Sequence, residues 1–110
     1  MGQKLNRTQL RELLDRVNKQ LKDQPVQVDV ASLQLGDQIQ AEWILLLGLR
    51  YDTEDDAVEI ILEGIDVTIS KPREIHFDGV GSQWDALDIL DAEGVQHIVE
   101  LKDPLLLPAA

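Results

Sequence analysis

The residues best equipped for chemistry are a run of carboxylates, two histidines and one arginine. With Asp52 taken as position one, Glu54 falls at three, Asp56 at five and Glu63 at twelve, the acidic spacing of a calcium-binding loop. Such a loop calls for glycine at position six and a helix on each side. Ala57 holds that position, and the flanking residues alternate with period two. In an extended chain Glu63 falls roughly 20 Å from the loop, at about 3.3 Å per residue. Asp52, Glu54 and Asp56 are therefore weak metal candidates, and a solvated hairpin tip is the simpler reading.

His76 and His97 are the only imidazoles, and neither lies in an H-x-H or H-E-x-x-H spacing. His76 shares its strand face with Glu74 and Asp78, as a surface histidine would. His97 shares its face with Val95, Val99 and Leu101, which suits a half-buried, hydrogen-bonded ring. A zinc site from His76, Glu74 and His97 requires their two strands to be neighbours. Arg73, after Pro72, suits bidentate capture of a carboxylate, either on a ligand or, with 21 acids in the chain, on an internal partner. Ser32, Ser70 and Ser82 lie in no G-x-S-x-G elbow. Gly79-Val80-Gly81 is a G-x-G fragment without the third glycine of a phosphate loop. No nucleophile–base pair is recognisable, so no catalytic residue and no cofactor is assigned, and a non-enzymatic role is favoured.

These residues must be held by one helix and a run of strands. Leu10, Leu13, Leu14, Val17 and Leu21 follow the i, i+3, i+4, i+7 spacing of an amphipathic helix over about 6–24. Asn6 is its N-cap, with Gln9 three residues on completing a capping box, and Pro25 ends it. Thereafter the period is two. Val26, Val28 and Val30 alternate with polar residues, and a bend near Ala31-Ser32 brings Leu33 and Leu35 into the opposite phase. Ile39, Ala41, Trp43, Leu45, Leu47, Leu49 and Tyr51 form the longest alternation. Trp43 and Trp84 are core or interface anchors, and the place of Trp43 between Ala41 and Leu45 favours the core. Ile44 and Leu46 make the middle of this strand apolar on both faces, so it needs cover on both. The acidic tip leads into Ala57–Glu63. Residues 64–72 read as a short strand or a connection. Arg73–Asp78 turns Ile75 and Phe77 inward, and Trp84–Asp91 and Val95–Lys102 form a second hairpin. The expected β-rich part is about 26–102. The tail, 103–110, is broken by prolines that cannot continue a ladder, and its leucines are expected to pack back on the sheet or on a partner. The fold class is α+β: one N-terminal amphipathic helix on a mainly antiparallel, curled sheet of about six strands.

The 110 residues suit a single domain, and the absence of cysteine removes disulfides and thiolate chemistry. Residues 1–24 carry a net charge of +3, and the rest a net of −14, for −11 overall. The basic segment is thus either docked on the acidic body, which its own apolar stripe favours, or an arm for an acidic partner. That balance argues against nucleic-acid binding. No apolar run approaches the roughly 20 residues of a membrane span, and no secretory signal is visible at the start, so a cytoplasmic protein is expected.

The sequence resembles a bacterial family of small proteins catalogued only as a domain of unknown function. The likeness runs through Val30-Ala31-Ser32-Leu33, Leu35-Gly36-Asp37-Gln38, Ala41-Glu42-Trp43, Leu47-Gly48 and Tyr51-Asp52. It continues through Glu63-Gly64-Ile65-Asp66, Pro72-Arg73-Glu74-Ile75, Asp91-Ala92-Glu93-Gly94-Val95 and Asp103-Pro104-Leu105. It covers nearly the whole chain after residue 5, implies a bacterial origin and brings no site residue with it. The expected role is that of a small intracellular interaction domain, homodimeric or bound to an unidentified protein partner. The alternative is a domain that binds a small ligand or divalent metal.

Overall fold

The computed structural model describes residues 3–21, 24–32, 34, 36–80 and 83–106. A short strand, β1 (Gln3–Leu5), leads into the single helix among these residues, α1 (Arg7–Gln20), followed by β2 (Gln24–Ser32) and β3 (Gly36–Asp52). Then come β4 (Ala57–Leu62), β5 (Ile65–Ser70), β6 (Pro72–Val80), β7 (Gln83–Asp91) and β8 (Gln96–Leu106). The strands form one antiparallel sheet in the order β1-β6-β7-β8-β2-β3-β4-β5. The strand count is therefore eight, not about six. The additions are β1, only three residues long, and β5, whose sequence allowed either a strand or a connection.

The helix forms as its caps and stripe dictate. Asn6 accepts a hydrogen bond from Gln9 N at 2.8 Å, and Gln9 Oε1 accepts one from Asn6 N at 2.9 Å. This reciprocal box satisfies donors that the first turn leaves free. Leu10, Leu13, Leu14 and Val17 are buried, so the helix is docked along its apolar stripe. It ends at Gln20, with Leu21 as an extended C-cap, and Pro25 lies inside β2.

The connection between β5 and β6 forces the sheet to curl. β5 is the last strand in the order and β6 the second, yet only Lys71 separates them. Two peptide steps span at most about 7.6 Å, so the two ends of the sheet must approach each other. Lys71 takes a left-handed conformation at φ 51°. Its N–H donates to Asp56 O at 2.7 Å, and its carbonyl accepts from Ala92 N at 3.0 Å. Both hairpin tips thus anchor the crossing. Inside the curl, the helix leucines meet Val26, Val28, Leu46, Leu49, Ile60, Leu87, Ile89, Val99 and Trp84 in one apolar cluster.

β3 departs from the alternation read in its sequence. Val28 pairs with Ala41 but Asp29 with Ile39, and Val26 pairs with Ile44. Two extra residues are thus inserted between Ile39 and Ile44. A third shift leaves Leu47 without a partner on β4, between Leu46↔Leu62 and Gly48↔Ile61. Each insertion reverses which face the following side chains take. Ala41, Leu46 and Leu49 are buried, with Ile44 and Tyr51 partly so. Trp43, expected in the core, is instead 40% exposed and takes φ 49°.

Other departures are local. The bend expected near Ala31-Ser32 is absent from β2, which pairs without interruption with β8 from Val26 to Ala31. Leu33 and Leu35 lie outside the described residues. The prolines do not end the last ladder at about Lys102: β8 resumes pairing beyond Pro104. Glu100 faces Ala86, and after a shift Leu105 faces Trp84. Pro104 falls within the shift, where no ladder bond is required of it. Leu105 is buried, so this part of the tail does pack back on the sheet. Residues 107–110 lie outside the described residues.

Candidate functional site

Two carboxylates of the acidic tip, Asp52 and Asp56, are hydrogen-bonded within the fold. Asp52 Oδ1 accepts from Glu54 N at 2.9 Å and Asp55 N at 3.3 Å, shaping the turn. Asp56 turns toward the helix. Its two carboxylate oxygens take Arg7 Nε at 2.7 Å and Nη2 at 2.9 Å, and Tyr51 Oη donates to Oδ1 at 2.5 Å. Arg7 Nη2 also donates to Pro72 O at 2.6 Å. The guanidinium and the tyrosine hydroxyl hold the Asp56 carboxyl below its usual range. Burial and the same carboxylate push the Tyr51 phenol up. Glu63 lies beyond the far end of β4. Among the described residues no group of three metal-ligating side chains gathers; Asp52 turns to the backbone of the loop, and Asp56 to Arg7 and Tyr51.

The histidines lie on opposite faces and are not on neighbouring strands. β7 stands between β6 and β8. His76 pairs across with Asp88, and Asp88 with Ile98, whereas His97 pairs with the buried Ile89. No zinc site from His76, Glu74 and His97 is therefore assembled. His76 and Glu74 line a shallow outer groove of about 270 Å³ with Asp88, Leu90 and Gln96. His97 is the half-buried, hydrogen-bonded ring its sequence suggested. Its Nε2 lies 3.0 Å from Asp91 Oδ2. An ionised carboxylate only accepts, so Nε2 is the donor of this bond. The buried Nδ1 has no partner among the described residues. Burial raises the Asp91 carboxyl, but hydrogen bonds from His97, Val95 N and Glu93 N outweigh it and leave the group below its usual range.

Arg73 falls at a register shift between Pro72 and Glu74 and is exposed. No carboxylate among the described residues pairs with it, so the internal partner expected for it is not found there. It lines an open groove of about 460 Å³ with Lys4, Leu5, Asn6, Arg7 and Gln9. Glu74 instead faces Lys4, at 3.7 Å. Arg73, Glu74 and His97 thus do not converge.

The feature that stands apart is on β3. Ile39, Trp43 and Leu47 are 57%, 40% and 51% exposed. Ile39 lies on the outer face, because its partner Asp29 alternates with the buried Val28 along β2. Trp43 and Leu47 sit where inserted residues interrupt the ladder. Beside Ile39 runs an outer groove of about 530 Å³, whose lining includes Ile98, Asp29, Asp37 and Gln96. Strict alternation hid this stripe. The signal for it was present in Ile44 and Leu46, apolar residues out of phase with the rest of the strand.

No helix among the described residues is long and apolar enough to cross a membrane. The chain is 34% identical over 101 residues to an uncharacterised protein of Aquifex aeolicus (strain VF5), with 91% of each chain covered. No solved structure matches it. The match to the family of unknown function DUF5335 spans residues 1–110. The resemblance read in the motifs is thereby borne out, and the chain belongs to that family.

Proposed function

We propose that the chain is a non-enzymatic protein-interaction domain whose contact surface is the outer side of β3. The observation that carries this reading is the exposure of Ile39, Trp43 and Leu47 on one strand, when the domain has an apolar interior in which to place them. Isolated surface hydrophobics are ordinary, whereas three on one strand, with a groove beside the first of them, are typical of a contact site. Tryptophan is enriched at the centres of such sites.

The face suits contact better than the edge. β4 pairs only with Leu46–Asp52, so the first half of β3 has no strand neighbour on that side among the described residues. That free edge carries insertions between Ile39 and Ile44 and the acids Asp37 and Glu42. Bulges and charges are the devices that discourage strand addition. The cysteine-free, acidic composition fits action in the cytoplasm.

A photo-crosslinking amino acid at position 47, with position 54 as control, tests the surface. Light scattering behind size exclusion reports self-association in parallel. A protein adduct or dimer formed through position 47 alone is the expected result. A clean monomer with no adduct from position 47 would remove the reading.

A further inference from the structure

Resting on that surface reading, we infer that its partner is a basic amphipathic segment of another protein, and not a second copy of this chain. The pairing of β8, β2 and β3 places Asp29 directly between Ile98 and Ile39, on the outer face. Any partner that covers both isoleucines must also cover the Asp29 carboxylate. Asp37 lines the same groove, and Glu42 adjoins Trp43. Asp29 takes a hydrogen bond from Gln27 Nε2 at 2.9 Å, and none of these three acids meets a cation among the described residues. Removing an ionised carboxylate from water without a compensating charge is costly. A partner bearing lysine or arginine around its apolar side chains offsets that cost; a neutral or acidic one does not.

The same arithmetic counts against self-association. From Gln24 to Leu49 the chain has three acids, Asp29, Asp37 and Glu42, and no base. A twofold contact presents the same patch from both sides. Stacking this surface on its own copy therefore brings acid toward acid in a molecule whose net charge is already −11, and like-charge juxtaposition disfavours such a contact.

The test uses the full chain and three synthetic peptides: one alternating lysine and leucine, one with serine replacing leucine, and one with glutamate replacing lysine. The readouts are the emission of Trp43, with Trp43→Phe as the blank, and backbone amide NMR shifts. The lysine–leucine peptide is expected to blue-shift Trp43 and to move amides in 27–31, 36–47 and 96–98. The triple variant Asp29→Asn, Asp37→Asn, Glu42→Gln is expected to lose tenfold or more in affinity, and added salt to weaken binding. Equal binding of the lysine–serine peptide, shifts confined to the 52–56 tip, or an unchanged triple variant would overturn the inference. Equal binding of the glutamate–leucine peptide, or a dimer that covers Trp43, would overturn it while leaving the contact surface standing. A Trp43 that nothing covers, in a monomer, would remove both.

Discussion

Arg7 grips Asp56 with two parallel hydrogen bonds, Nε to Oδ1 at 2.7 Å and Nη2 to Oδ2 at 2.9 Å, across 49 residues of sequence. The pair joins the start of the helix to the β3–β4 turn, and the Pro72 carbonyl joins the start of β6 to the same guanidinium. Arg7→Ala should therefore loosen three elements together. The side chains are 48% and 35% exposed, so solvent screening limits the loss to about 1 kcal/mol. Urea melts of the wild type, Arg7→Ala and Asp56→Asn should show this, with the double variant costing less than the sum of the singles.

The acid limb of stability follows from the same site. The carboxyls of Asp56 and Asp91 are both held below their usual range in the folded chain. A depressed folded pKa contributes stability that is complete above the unfolded pKa, about 4, and is lost as pH falls through the folded value. The melting temperature should thus hold steady down to about pH 5 and fall below about pH 4. Asp56→Asn should flatten part of that fall. A slope unchanged by Asp56→Asn would assign the limb elsewhere.

Asn18 gives the helix a role in the sheet. Its Oδ1 accepts from Leu49 N at 2.9 Å and its Nδ2 donates to Leu49 O at 2.6 Å. The β2–β3 ladder stops at Leu46, and the amide satisfies the backbone of β3 beyond it. Asn18→Ala should cost about 1–3 kcal/mol through the unpaired backbone groups. Asn18→Asp should be worse at neutral pH, because a carboxylate would face the Leu49 carbonyl. Its deficit relative to wild type should shrink in acid, where a protonated carboxyl can donate. Chemical melts of both variants at two pH values read this directly.

Sequence pattern revealed what depends on neighbours along the chain and missed what depends on neighbours in space. The helix stripe, the Asn6–Gln9 box, the inward Ile75 and Phe77, and both hairpins follow from local periodicity and turn chemistry. Trp43 does not, because an inserted residue is defined by the partner strand and leaves no local mark except the phase change at Ile44 and Leu46. β1 is not legible in the sequence, because its three residues gain a strand's geometry only from β6. Among the chemical candidates, His97 could be read from the apolar residues sharing its face. The partners of Arg7 and Glu74 could not, because several acids and bases compete for each.

Gly79 is fixed by a close approach. A Cβ there would lie 1.9 Å from the Gln83 carbonyl oxygen, in the hairpin between β6 and β7. Gly79→Ala must displace backbone, at a cost of about 1–3 kcal/mol. That corresponds to roughly 4–8 °C in Tm per kcal/mol for a domain of this size. At Gly48 the nearest atoms to such a Cβ are 3.8 Å away, so Gly48→Ala should cost much less. Scanning calorimetry of the two variants separates steric need from the general entropy of replacing glycine. Equal melting temperatures would contradict the hairpin geometry.

The two tryptophans divide structure from surface, and their variants should behave oppositely. Trp84 is fully buried, and its Nε1 donates to Ala86 O at 2.8 Å. Trp84→Ala leaves a large cavity and removes that hydrogen bond, at a cost of about 3–5 kcal/mol. Trp43, 40% exposed, should tolerate alanine within about 0.5 kcal/mol. In the folded chain, Trp43→Phe should leave only the blue emission of an apolar site, whereas a conservative Trp84→Phe should leave the redder emission of a wet indole. Iodide should quench the second variant and spare the first. If Trp43→Ala unfolds the chain as readily as Trp84→Ala, the phase changes in β3 are misplaced, and Trp43 belongs to the core.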